Sequence, residues 1–224
     1  MTSRFGAGLL FFACVALPII IIDYTRIMSG FDGGPDAPMA LRAEYAQGIL
    51  PAASRGWLFE SLAIAFVATA GLIFMDRKSR AGWALAVVGA LVTMPMYPAM
   101  LGGYSAVLTS PELDAQMFAV LRGIATVVFY IGQALMMLGF ALVLGLEISE
   151  PRRILPAWLL GLGAIANAIA GLVFLLLHFG LLSSFMIGGP FGIAGFIVMA
   201  IYAIGVFRQS VSGEILASET SLSE

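Results

Sequence analysis

Histidine and cysteine are almost missing from this chain: one of each, His178 and Cys14, in 224 residues. A single cysteine cannot close a disulfide within the chain, and so few soft or imidazole ligands leave no zinc or cysteine cluster to build. A haem held by two histidines of one chain is excluded on the same count. Charge is scarce as well. Asp, Glu, Lys and Arg make up 11% of the residues, against about 25% in soluble domains. The net charge of −2 and a pI near 5.4 offer no basic face to nucleic acid. No nucleotide loop, serine elbow, zinc-helix motif or pair of catalytic carboxylates occurs. The chain reads as non-enzymatic, with no cofactor and no metal.

What is present is apolar. Hydrophobic residues make up 61% of the chain, and its mean hydropathy is +1.01. Six long apolar stretches run at roughly 5–28, 56–75, 81–103, 115–146, 154–178 and 186–207. Each is near the length that crosses a bilayer as a helix. Lipid offers no partner to a free backbone amide, and a helix satisfies its own. The alternating ten-residue segments of a membrane barrel do not occur. The expected fold is all-α: one polytopic membrane bundle of six transmembrane helices over 1–208. The Ser- and Glu-rich tail, 209–224, is expected to be disordered. In the first stretch Arg4 precedes the run Phe5 to Ile22, as in a signal peptide, but Asp23-Tyr24-Thr25-Arg26 follows with no small-x-small cleavage site. It reads as a retained helix, bent at Pro18.

Lys and Arg set the orientation. With the N-terminus inside, the inner segments hold Arg4, Arg77, Lys78, Arg80, Arg152, Arg153 and Arg208. The outer side holds Arg26, Arg42 and Arg55, all in or beside the first loop. Both termini are therefore expected in the cytoplasm. The long outer loop, 29–55, begins with the turn chemistry of Gly30-Phe31-Asp32-Gly33-Gly34-Pro35-Asp36. Its second part, Pro38 to Leu50, suits a short helix with Leu41, Tyr45 and Ile49 on one face. It reads first as an ordinary packed loop helix; otherwise it would lie along the membrane or cap the bundle. The two three-helix halves do not align, so no internal repeat is read.

Charges inside a bilayer are costly and face the bundle interior. Placed by depth, Asp23, Arg26, Arg55, Glu60, Arg122 and His178 all fall in the outer half, joined by Tyr97 and Tyr104. The inner half of every span is nearly free of charge. Glu60 and Arg122 are opposite in sign at compatible depth and are expected to pair. Two readings stay open. In one, the pair is a structural bridge whose breakage costs about 3–5 kcal/mol. In the other, the group Glu60, Arg122, Asp23, Arg26, Tyr97, Tyr104 and His178 belongs to an outward polar pocket in which Arg122 meets an anionic group. Gln133 and Asn167 lie deeper. Gly163, Asn167 and Gly171, and likewise Gly188 and Gly192, form small-residue stripes that read as helix-packing surfaces. Pro95, Pro98 and Gly102-Gly103 weaken the third span.

Three short stretches carry a resemblance. They are Ser3-Arg4-Phe5-Gly6-Ala7-Gly8-Leu9-Leu10 at the start, Ser54-Arg55-Gly56 before the second span, and Arg153-Ile154-Leu155-Pro156-Ala157-Trp158-Leu159-Leu160-Gly161 opening the fifth. They resemble a family of small bacterial six-helix membrane proteins of unknown function, whose fifth helix opens with a Leu-Pro-x-x-Leu-Gly-like stretch. This chain has one extra residue before the glycine. The resemblance implies a six-helix fold in a bacterial inner membrane and transfers no activity and no site. The leading functional reading is a pocket for a ligand, lipid or partner. The alternatives are an accessory subunit, docked on a membrane-protein partner or as a homo-oligomer, and a small transporter.

Overall fold

The computed structural model describes residues 2–34, 36–182 and 188–221, excepting the side chains of residue 2 and of residues 212–221. Helices follow one another without a strand among these residues: α1 (Thr2–Met28), α2 (Met39–Ile73), α3 (Arg80–Thr93), α4 (Met96–Pro98), a π-helical turn (Ala99–Tyr104), α5 (Ser105–Leu108), α6 (Ala115–Ile148), α7 (Ala157–His178) and α8 (Gly189–Ser221). Six of the resulting segments are long and apolar enough to cross a membrane, with α3, α4, the π turn and α5 together forming the third. The chain is an all-α, six-helix membrane bundle.

The spans form a closed ring of neighbours: α1 on α2, α2 on α3, α3 on α6, α6 on α7, α7 on α8 and α8 back on α1. Large apolar side chains cover the outside of the ring. Ile19, Leu72, Trp158 and Leu162 are each more than half exposed, which suits a solvent of lipid chains.

Three boundaries differ from those expected. The short helix expected over 38–50 and the span expected from 56 are one helix, α2, of 35 residues. Pro51 sits inside it, its fixed φ already helical, and the strong helix formers Ala52 and Ala53 carry the helix on. At about 1.5 Å per residue this helix outruns a hydrocarbon layer of about 30 Å, so its first turns project past one end of the ring. The third span is broken where Pro95 and Pro98 each remove a backbone donor, and the chain passes through the π turn before resuming as α5. Finally, the backbone of α8 stays helical to Ser221, into the 209–224 segment expected to be disordered. No proline follows Pro190 there to stop it. Pro18, by contrast, lies inside α1 without ending it.

Local chemistry sets the ends. Asp114 caps α6, its side chain accepting from the Met117 amide at 2.8 Å. α7 stops in a Schellman turn: Gly180 takes φ +70°, its amide donates to Leu177, and the Leu181 amide donates to Leu176.

The closest backbone approach is between α3 and α6. A Cβ on Gly89 would run into the backbone nitrogen of Met136, and one on Gly139 into that of Ala86. Gly82 and Gly132 are similarly crowded, against Val143 and Thr93. These four glycines repeat at seven-residue intervals on both helices, two turns apart, so small residues meet along one seam. The expected stripe on α7 also lies in contacts. Gly163 faces Val198 and Leu144, Gly171 faces Leu138, and Asn167 presses on Gly195 of α8. Gly192 only grazes Ala170, at 4.0 Å.

Candidate functional site

The projecting start of α2 lies across one end of the ring and is latched on both sides. The Tyr45 hydroxyl donates to the Ile27 carbonyl at the end of α1. The Gln47 amide donates to the Leu108 carbonyl at the end of α5, at 2.7 Å. Phe31 stacks on Tyr45 with ring centroids 5.2 Å apart. Arg42 holds the turn before α2 from below, donating to the Ala37 and Gly34 carbonyls, each at 3.1 Å, and lying over the Phe31 ring. This end of the bundle is therefore capped.

Beneath the cap is a cavity of about 560 Å³. Helical periodicity builds its walls. From α2 come Tyr45, Ile49, Ala53, Trp57 and Glu60, one stripe at spacings of three and four. From α6 come Phe118, Arg122, Ala125, Thr126, Phe129 and Tyr130 on a second such stripe. α1 supplies Ile20, Ile21, Tyr24, Thr25 and Met28. The broken third span turns Met96, Met100 and Tyr104 into the same space. Edge-on aromatic contacts stiffen one wall: Trp57 to Tyr104 at 5.6 Å and Tyr104 to Phe118 at 5.2 Å.

Of the residues expected in a pocket, Glu60, Arg122 and Tyr104 line this cavity. Tyr97 lies behind the wall, buried, with its hydroxyl against the Glu60 carboxyl and no other hydrogen-bond partner. Asp23 and Arg26 are exposed on the outer side of α1 and do not line the cavity. Arg55 is also exposed, its Nε donating back to the Pro51 carbonyl at 3.3 Å. His178 is outside the cavity at the end of α7, with its ring against Phe179.

The expected pair does not form. No ion pair within 4.0 Å and no hydrogen bond joins Glu60 to Arg122, although both are half-buried on adjoining walls. Equal depth does not bring two side chains together when their helices turn them toward different parts of one space. Arg122 instead lies within electrostatic reach of three tyrosines, Tyr24, Tyr104 and Tyr130. It makes no hydrogen bond or ion pair among the described residues. Glu60 stands at a second boundary too. A pocket of about 20 Å³, large enough for one water, adjoins it and is lined by Gln133, Phe174, Gly188 and Gly192. Gly188 and Gly192 thus border a void, and Gly192 also touches Ala170.

At the opposite end, where the spans are expected to be nearly free of charge, one carboxylate lies inside a helix. Glu147, near the end of α6, is buried and accepts a hydrogen bond from the Tyr202 hydroxyl at 3.4 Å, with Arg77 nearby. Lys78 and Glu150 form an ion pair at 2.9 Å between the α2–α3 turn and the residues after α6. Between the two ends the core is closed by Trp83, Met136, Phe140, Phe196 and Tyr202, all fully buried. Among the described residues no group of three or more His, Cys, Asp or Glu could hold a metal ion.

Tyr24, Arg42, Trp57, Phe118, Phe129 and Tyr130 line the cavity without having been singled out from the sequence. The signal was available for several of them. Trp57 is three residues before Glu60, and Phe118 and Thr126 are four residues either side of Arg122, so each shares a helix face with a charged residue. Comparison with known proteins returns no matching family model, no matching curated protein and no matching solved structure.

Proposed function

We propose that this chain is a non-enzymatic, multi-pass protein of a bacterial inner membrane, and that its capped cavity binds an amphiphilic small molecule or lipid. The observation that carries the reading is Arg122. A guanidinium in a membrane span costs about 2.5–3.5 kcal/mol even on insertion scales. Here it faces a cavity without a hydrogen bond or ion pair from any described residue. A bound anionic group would satisfy it. The volume falls within the range of about 300–1,000 Å³ usual for small-molecule sites, and apolar walls with a few polar groups are their usual composition.

The distribution of Lys and Arg supports a cytoplasmic location for both termini and an outward-facing cap. The likeness to bacterial six-helix proteins supports the assignment to an inner membrane. Binding is favoured over transport by the packed core of Trp83, Met136, Phe140, Phe196 and Tyr202 between the two ends.

The test is native mass spectrometry of the wild type and of Ala125→Phe, both gently extracted from their host. Ala125 is a buried wall residue, and a phenylalanine there fills the cavity. The wild type is expected to carry a reproducible added mass that Ala125→Phe lacks. Equal adducts on both proteins would contradict the reading.

A further inference from the structure

The cavity presents two opposite charges, and the chain neutralises neither. Among the described residues Glu60 makes no ion pair and has only the Tyr97 hydroxyl within side-chain hydrogen-bonding reach, and Arg122 makes neither a hydrogen bond nor an ion pair. Both line the same space. They are too far apart to bridge each other, yet close enough that Tyr24 lies in the field of both. A purely anionic ligand would satisfy Arg122 and leave the carboxylate stranded in a low-dielectric site, which is costly. A purely cationic ligand would do the reverse. One molecule carrying both charges satisfies both groups for a single loss of translational and rotational freedom.

We infer that the cavity recognises a zwitterion on an apolar body, with an ammonium group set on Glu60 and a carboxylate or phosphate set on Arg122. This rests on the cavity-binding reading and narrows it. The walls suit the assignment. Tyr24, Tyr45, Trp57, Tyr104 and Phe129 surround the space, and aromatic faces attract ammonium groups. The Tyr97 hydroxyl, buried against the Glu60 carboxyl and bonded to no other group, is placed to hold the carboxylate as the ammonium arrives. The apolar surface of α1, α2 and the π turn receives the body of the ligand.

Two sources offer this chemistry: an aminophospholipid of the bilayer and a free amino-acid-like zwitterion. The test uses the purified full chain and follows emission from Trp57 in the cavity wall. It titrates short-chain phosphatidylethanolamine and free phenylalanine, each in three forms: intact, N-acetylated to remove the ammonium, and methylated on the acid to remove the anion. A neutral amphiphile, octyl alcohol, is the seventh probe. The expected result is that one intact zwitterion binds, and that each blocked form of it binds at least about tenfold more weakly. The source that binds identifies the ligand class. Glu60→Gln is expected to abolish the penalty for N-acetylation, and Arg122→Gln the penalty for methylation.

The comparison of probes on the wild type decides the question even where a variant fails to fold. Equal binding of intact and blocked forms, or binding of octyl alcohol alone, would overturn the zwitterion while leaving the cavity-binding reading intact. Absence of binding by all seven probes would overturn both.

Discussion

Two carboxylates within the spans, Glu147 and Glu60, have opposite surroundings. Glu147, near the C-terminal end of α6, has a hydroxyl donor in Tyr202 and an arginine nearby. Glu60, under the cap, has a buried tyrosine hydroxyl against it and an arginine across a cavity that it does not reach. Packing follows the same division. Along α3 and α6, glycines bring two backbones into contact. Under the cap, α1, α2, α6 and the π turn stand apart around about 560 Å³. A buried charge met by its own chain is part of the architecture. A buried charge left facing a cavity, in an environment that penalises it, is an offer to something from outside.

The largest effect is expected where the backbones touch. Gly89→Leu should cost at least about 3 kcal/mol, because its side chain meets the Met136 backbone and neither helix can yield without opening the seam. Unfolding of the purified protein measures this, and a loss under about 1 kcal/mol would mean that the seam is not tight. Tyr202→Phe should cost about 1 kcal/mol by removing the donor to Glu147, with ligand retention unchanged. If it releases the ligand instead, the two ends are coupled and the contrast between them fails. A smaller loss still, under about 1 kcal/mol, is expected from Tyr45→Phe, which removes one latch of the cap. Its readout is kinetic: a bound probe should leave faster than from the wild type. An unchanged rate would show that the start of α2 does not gate the cavity.

Much of the fold was legible because the bilayer imposes it. A run of about twenty apolar residues has one stable form in lipid, so six runs meant six helices. Less was legible where the argument depended on a helix's rotation rather than its length. Hydropathy placed Glu60 and Arg122 at similar depth, but depth says nothing of azimuth, and the pair does not form. The same blindness put Asp23 and Arg26 into the expected pocket, although α1 turns Tyr24 inward and those two outward. Gly163 and Gly171 stood out as a stripe because Asn167 lay between them. Gly82, Gly89, Gly132 and Gly139 did not, since glycine is ordinary in membrane spans and a spacing of seven is easily overlooked. Glu147 escaped because the fourth span was expected to end at 146, whereas α6 runs on to Ile148.

The most direct test of the contrast is Arg122→Gln, with unfolding free energy and bound mass measured on the same preparation. If the arginine serves a ligand, the variant should keep its stability within about 0.5 kcal/mol of the ligand-free wild type, or exceed it, and should lose the bound mass. If it serves the fold, as a bridge to Glu60 would, the variant should lose about 3–5 kcal/mol and keep whatever it binds. That second result would contradict the account.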